Sequence, residues 1–218
     1  MTDRDARPAP DPAAAALLAG DPVLVAPRLL GAVLHGRGVS VRLTEVEAYR
    51  GAEDPGSHAF RGPTPRTAPM FLGPGHVYAY FTYGMHTCVN VVGGEEGAAA
   101  AILLRAGEVV AGEELARERR AGARGPQAIP FRDLARGPAR LAQALGVLLG
   151  DSGSVLGAPD GLALELPTAL ASPQPASIRQ GPRVGVSGPG GGAAFPWRFW
   201  IADDPTVSPY RAAVTRAR

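Results

Sequence analysis

The sequence predicts a single mixed α/β (α+β) domain, an antiparallel sheet flanked by helices, and three observations carry that expectation. Two stretches, 32–49 and 76–92, alternate in character around short glycine-containing turns, the signature of antiparallel hairpins. Two later stretches, "GEELARERRAG" at 112–122 and "GPARLAQALGV" at 137–147, read as helices, the second with proline in its first turn. The 218 residues show no internal repeat and no linker, and that length suits one domain with a substantial core.

Taken in order, residues 1–10 read as a disordered tail, and the boundary is set so that 1–20 is tail and 21–218 the domain. Asp11-Pro12 and Asp21-Pro22 each pair an N-cap with proline at the first helical position, so short helices are expected near 12–19 and 22–30. Gly31 ends the second. A hairpin follows, turning at 35–38. Residues 50–75 contain five glycines and five prolines and must be largely irregular; a loop that long is expected to be functional. Next come strands at 76–82 and 85–92, linked by Tyr83-Gly84. A strongly apolar strand is expected at 98–104, stopping at Arg105, and a basic loop at 123–136. One strand is expected at 162–166. "PRVGVSG" and "PWRFWIA" look like a closing pair of strands around the glycine loop 188–192.

Composition narrows the function. The chain is 45% hydrophobic and 19% charged, which is globular rather than disordered. The net charge of +2 does not by itself demand nucleic acid. Lysine is absent, so all 22 basic residues are arginine. Arginine binds phosphate bidentately, although biased coding composition explains the preference as readily. The single cysteine, Cys88, excludes an internal disulfide, argues against structural zinc and fits a reducing, cytoplasmic compartment. No segment reads as a signal peptide or a membrane span, so no membrane partner is expected.

"VRLTEVEAY" is chemically unusual. In a regular strand Val39, Val41, Leu43, Glu45, Glu47 and Tyr49 share a face that begins apolar and ends with two carboxylates. Either a bulge near Thr44 sends both glutamates to solvent, or one lines a pocket as a general base. A Glu pair at this spacing would also suit a carbohydrate or nucleoside hydrolase. Tyr83 is the second oddity, because an aromatic at a hairpin tip gains nothing from the core. Asn90 falls in a strand, where Asn is disfavoured. Arg105 ends an apolar run and needs an anion, for which Glu47 would serve. His35, His58, His76 and His86 have no metal-binding spacing. No P-loop, dinucleotide fingerprint or nucleophile elbow is present.

The segments "TEVEAYRGAEDPGSHAF", "PTPRTAPMFLGPGHVYAYFTYGMHTCVNVV", "AILLRAGE", "RGPARLAQALG" and "PRVGV…PWRFW" together resemble the alkyladenine (3-methyladenine) DNA glycosylase family, over roughly residues 25–202. The resemblance implies a curved antiparallel sheet with a protruding β-hairpin. It implies a monofunctional glycosylase that flips damaged purines from double-stranded DNA, acts as a monomer and needs no cofactor or metal. Glu47 then matches the water-activating carboxylate, with Arg105 and the backbone carbonyl of Val184 holding the water. Tyr49, His58 and Tyr80 match the walls of the base pocket, and Asn90 the residue that screens the purine's exocyclic group. Tyr83 matches the ring inserted into DNA, with Met85 beside it. His86 stands where animal relatives carry an aromatic, and the link 93–97 looks longer than theirs. Cytoplasmic location with nucleoid association is expected. The alternative is a non-catalytic nucleic-acid-binding module on the same fold, which would have no need of Glu47 in an anionic groove. Schiff-base chemistry at a lysine is excluded, since there is none. Phosphate contacts are expected from Arg61–Arg66 and Arg117–Arg132.

Overall fold

The computed structural model describes residues 12–82, 84, 86–121, 125, 128–168 and 173–213. Its helices are α1 (Pro12–Leu18), α2 (Pro22–Val25), α3 (Glu113–Arg120) and α4 (Pro138–Leu145). Its strands are β1 (Val33–Gly36), β2 (Val39–Tyr49), β3 (Val77–Thr82), β4 (His86–Val92), β5 (Ala101–Ala111), β6 (Ala135–Arg136), β7 (Leu162–Glu165), β8 (Ile178–Gly181) and β9 (Arg198–Ile201). The strands form one antiparallel sheet in the order β3-β4-β5-β2-β1-β7, with β6 on β5 and β9, itself paired with β8, on β2. The mixed α/β class is as the sequence predicts.

Local chemistry explains the elements. The Asp21 side chain accepts from the Val23 N–H at 2.8 Å and starts α2, which tightens into a 3₁₀ turn at Ala26–Leu29. Arg37 and Gly38 take positive φ (47° and 82°) between Gly36 and its partner Val39, as a two-residue hairpin turn requires. Ala14 and Leu18 of α1 are buried in the main core, inside the stretch assigned above to the tail.

Three expectations are corrected. The apolar strand does not stop at Arg105: β5 starts at Ala101, because Ala100 N–H is bonded to Met70 in the long loop, and it continues through Arg105 to Ala111. The link between β3 and β4 is three residues, not two, since Thr82 pairs with His86. The strand that pairs with β9 is Ile178–Gly181, not 182–188; of the latter residues only Arg183 is buried, and Gly185, Ser187 and Gly188 are exposed.

Side-chain alternation separates the two faces of the sheet. Val77 and Ala79 of β3, Val89 and Val91 of β4, and Ile102 and Leu104 of β5 enter the main core, where Leu141, Ala142, Ala144 and Leu145 of α4 pack with them. Tyr78, Cys88, Asn90, Ala101, Leu103 and Arg105 therefore project from the opposite face. There the long loop lays Ala59 and Met70 against Tyr78, Val92 and Ala101 as a second, smaller core.

β2 crosses both regimes by means of a bulge. Val39, Val41 and Leu43 point into the core; Thr44 is an extra residue in the pairing with β5; Val46 and Ala48 then take the core side. Glu45, Glu47 and Tyr49 are thereby turned to the opposite face. A matching irregularity at Arg105 of β5 restores the register. The bulge near Thr44 thus exists, yet neither glutamate reaches solvent, because both are 0% exposed. Residues 183–184 and 204–208 cover them: Ser208 N–H donates to Glu45 at 2.8 Å, Val184 N–H to Glu47 at 2.7 Å, and the Thr44 and Thr206 hydroxyls meet at 2.8 Å.

Glu45 is held as an ion. Its Oε1 accepts from Arg105 Nε at 2.8 Å and from Arg198 Nε at 2.7 Å. Burial pushes this carboxyl up, but the two guanidinium groups and the Ser208 amide outweigh it and hold the group below the usual carboxylate range. A carboxyl so held contributes its stabilisation in full above its unfolded pKa and loses it as pH falls through the lowered folded value. Glu45→Ala leaves two buried guanidinium groups short of an anion, so urea denaturation at pH 7 should show a loss of about 3–5 kcal/mol. The gap to the wild type should narrow below pH ~4. A loss under about 0.5 kcal/mol, the size of a surface change, contradicts this account.

Candidate active site

The register places Glu47, Leu103, Asn90 and Tyr78 in one row across β2, β5, β4 and β3. One row on, Tyr49 pairs with Ala101, which in turn pairs with Val92. The structure therefore brings Glu47, Tyr49, Arg105, Asn90, Tyr80 and His58 to one face, with Val184 over Glu47.

Glu47 has three partners. Oε1 accepts from Val184 N–H and lies 3.3 Å from Arg105 Nη1; Oε2 accepts from the Tyr49 hydroxyl at 2.8 Å. The Val184 contact is through its N–H; the expectation concerned its carbonyl. Arg105 bridges Glu45 and Glu47. Burial pulls its pKa down, but the two carboxylates more than reverse this, so the guanidinium stays charged. Burial, with the Glu47 charge added, raises the Tyr49 phenol well above its ordinary value, which keeps it a donor to Glu47.

The aromatic residues form a cluster. Tyr78 and Tyr80 stack with centroids 5.3 Å apart, and the His58 ring meets Tyr80 edge-on at 4.6 Å. The Tyr78 hydroxyl and His58 Nδ1 share a hydrogen bond at 3.0 Å, and Asn90 Nδ2 donates to the Tyr78 carbonyl at 2.9 Å, which fixes the amide. The residue His58 remains exposed overall, but its packed side is desolvated. That burial, helped by the charge of Arg66, lowers its pKa, so the imidazole is neutral at pH 7. Arg66 sits 5.3 Å over the Tyr80 ring and donates to the Phe81 carbonyl. Cys88, buried beside Tyr80, is pushed up to about 11 by burial and stays a thiol.

Sequence reading missed Arg183, Asp54, Arg198 and Ser208. Arg183 forms a two-pronged pair with Asp54 at 2.6 Å on each side, both wholly buried. Two singled-out residues, Tyr83 and Met85, lie outside the described residues. Of the arginines expected to meet phosphate, Arg61 and Arg66 are exposed, and Arg66 lies against the cluster. Arg117, Arg119 and Arg120 are instead engaged within the protein: with Glu113 and Ile129, with Ala144 and Arg37, and with Leu134 and Gln143. Among the described residues no three His, Cys, Asp or Glu side chains converge as a metal site would need. No helix among them is long and apolar enough to cross a membrane.

A family model described as methylpurine-DNA glycosylase matches residues 16–205. The chain belongs to the methylpurine-DNA glycosylase family. It is therefore a DNA glycosylase, a hydrolase of DNA repair. Proteins named "Putative 3-methyladenine DNA glycosylase" are among its relatives. That of Leifsonia xyli subsp. xyli is 58% identical over 192 residues, covering 86% of this chain and 87% of its own. That of Streptomyces avermitilis is 55% identical over 202 residues (90% and 91%), and that of Cutibacterium acnes 47% over 196 (88% and 96%). The methylpurine-DNA glycosylase match encloses every candidate residue named above.

The His58 environment is directly testable. In an NMR titration Arg66→Ala should move the His58 pKa upward. It should still fall short of the unperturbed value of about 6.5, because burial, the larger cause, remains. An unmoved titration shows that Arg66 is not near the ring in solution.

Proposed function

We propose that the protein excises damaged purines, alkylated ones such as 3-methyladenine together with hypoxanthine and ethenoadenine, from duplex DNA by a Glu47-activated water. A base inside a duplex cannot be attacked at its glycosidic bond, so the nucleotide is flipped out at a cost of a few kcal/mol, least for damaged or mispaired bases. Stacking between Tyr49 on one side and His58 and Tyr80 on the other returns ~1–3 kcal/mol. Water held by Glu47, Arg105 and the Val184 carbonyl attacks the sugar carbon through an oxocarbenium-like state, and Glu47 takes its proton. The purine leaves with the bonding pair. Asn90, at the floor between the walls, screens the exocyclic group.

The observation that carries this reading is a wholly buried carboxylate, Glu47, tied by a 2.8 Å hydrogen bond to a part-exposed tyrosine. Glu45, two residues away, is committed instead to two guanidinium groups and a main-chain amide. Such a carboxylate is costly to bury and serves no purpose in a module that only binds an anion. The test is a duplex holding one hypoxanthine, incubated with protein and then treated with alkali. The wild type should yield strand cleavage at that site. Glu47→Gln should keep DNA binding and lose roughly 10²–10⁴-fold in rate. Near-normal turnover in that variant moves the water-activating role elsewhere.

Tyr83 follows Thr82 of β3, next to Gly84 (φ 67°), and the adjoining Phe81 and His86 are exposed. In the proposed complex its ring fills the gap left by the flipped nucleotide, with Met85 beside it. Tyr83→Ala should then lower excision from stable duplex while changing stability by no more than about 0.5 kcal/mol. The defect should shrink where the damaged base is already mispaired. An equal defect on paired and mispaired substrates rules out the wedge.

A further inference from the structure

Among the described residues Arg183 is the largest wholly buried side chain. Its Nη1 donates to Asp54 Oδ2 at 2.6 Å and to the Ala48 carbonyl at 2.9 Å; its Nη2 donates to Asp54 Oδ1 and to the Gly190 carbonyl, each at 2.6 Å. The guanidinium carbon lies 4.6 Å over the Tyr49 ring and 5.3 Å over Trp197. Asp54, in turn, accepts from the Gly56 N–H at 2.8 Å and the Arg50 N–H at 3.2 Å. A Cβ at Gly56 would fall 2.5 Å from Arg183 Nη2, so the loop closes on the guanidinium only because that residue is glycine.

The placement is specific to the site. Ala48 lies between Glu47 and Tyr49, and Val184, whose N–H meets Glu47, follows Arg183 in the chain. One guanidinium therefore fixes the strand that carries Glu47, the amide that orients it, and one face of the Tyr49 ring. Because Arg183 is wholly buried, the face of Tyr49 that it covers is closed to any ligand. A base can stack only on the other face.

The geometry points to the Arg183–Asp54 pair as a positioning element that sets the charge preference of the base pocket: Arg183 backs the stacking ring, and Asp54 cancels its charge so that a cationic purine is accepted. This rests on the glycosylase reading above. Burial pulls the Arg183 pKa down, but Asp54 and Tyr49 more than reverse it, so the cation persists. A base stacked on the open face of Tyr49 would lie about 8 Å from the guanidinium. At an effective dielectric of about 20, an uncancelled charge there disfavours a cationic base by roughly tenfold or more and leaves a neutral base unaffected. Alkylation at a ring nitrogen gives such a cation, whereas hypoxanthine is neutral. An apolar residue behind the ring would support stacking equally well. A compensated ion pair also holds the surrounding main chain in place.

The experiment compares single-turnover excision of 7-methylguanine and of hypoxanthine from the same duplex context. Asp54→Asn keeps the side chain's size and an acceptor at one of the two oxygen positions, gives up the acceptor at the other and uncovers the cation, so the ratio of the cationic to the neutral substrate should fall about tenfold. Arg183→Gln uncovers the anion and should move the ratio the other way. Because the two signs are opposite, either variant alone decides the matter should the other not fold, which a thermal melt reveals. If both rates fall by the same factor and the ratio is unchanged, the pair is only structural and the inference is overturned. A wild-type protein that excises neither these bases nor 3-methyladenine overturns the damaged-purine reading proposed above, and the inference with it.

Discussion

The Glu45 carboxylate is the constraint around which the rest is organised. A charge with no exposure costs several kcal/mol unless fully compensated, and Glu45 obtains compensation from three different parts of the chain: Arg105 on β5, Arg198 on β9 and the Ser208 amide beyond it. Those partners cannot be supplied by a regular sheet. β2 pairs with β1 up to Arg42 and with β9 from Glu45 onward, and the bulge at Thr44 sits at that change of partner. β5 likewise pairs with β4 up to Leu103 and with β6 from Ala106, with its own irregularity at Arg105 between. Both strands bend where the ion cluster lies. Glu47 is then carried to a buried position on the same face, and Arg105 serves both carboxylates at once.

Two layers follow from the resulting division of faces. One side of the sheet is an aliphatic core closed by α4. The other carries Tyr49, Tyr78 and Tyr80 over short residues, under a loop of low regularity. That loop has no strand or α-helix to order it, so its own polar contacts must do so. The Asp54–Arg183 pair joins it to the C-terminal part of the chain, 129 residues away in sequence. Long loops at functional sites usually cost precision; a buried two-pronged ion pair restores it.

Much of this was legible because it is local. The hairpin turn at Arg37-Gly38, the cap at Asp21, the helices α3 and α4 and the alternation of Val77 to Tyr80 each depend on neighbours a few residues apart. What escaped depends on distant partners. An arginine inside an apolar run reads as the end of a strand, and only the presence of Glu45 and Glu47 across the sheet lets β5 continue through Arg105. "VRLTEVEAY" left two readings open, since a bulge alone predicts exposed glutamates. The residues that bury them, Ser208 and Val184, lie more than a hundred positions downstream. Arg183 in "GPRVGVSG" carried no signal of burial at all, because its anion lies in the long loop. Glu47, Asn90 and Arg105 stand out by their own chemistry, Tyr49, His58 and Tyr80 only through the resemblance, and their convergence on one face is a property of the register that no single stretch displays.

The register also accounts for the shape of the site. Tyr49 stands on β2 and Tyr80 on β3, with β5 and β4 between them. They are three strand spacings of about 4.8 Å apart across the sheet and two rows apart along it, with the Glu47–Leu103–Asn90–Tyr78 row between. Between them the sheet presents Ala101, Leu103, Cys88 and Asn90, none of which is aromatic. Two tall side chains over a floor of shorter ones leave a recess that the sheet floors and the long loop, through His58 and the Asp54–Arg183 pair, helps to wall. A planar heterocycle fits such a recess, and a polar floor residue held by its own strand, as Asn90 is by the Tyr78 carbonyl, can meet only the edge of such a ring. Glu47 shares Asn90's row, so the carboxylate is fixed relative to the edge of whatever occupies the recess. Placing Glu47 and Asn90 in one cross-strand row makes the alignment of the two a matter of sheet geometry rather than of loop conformation.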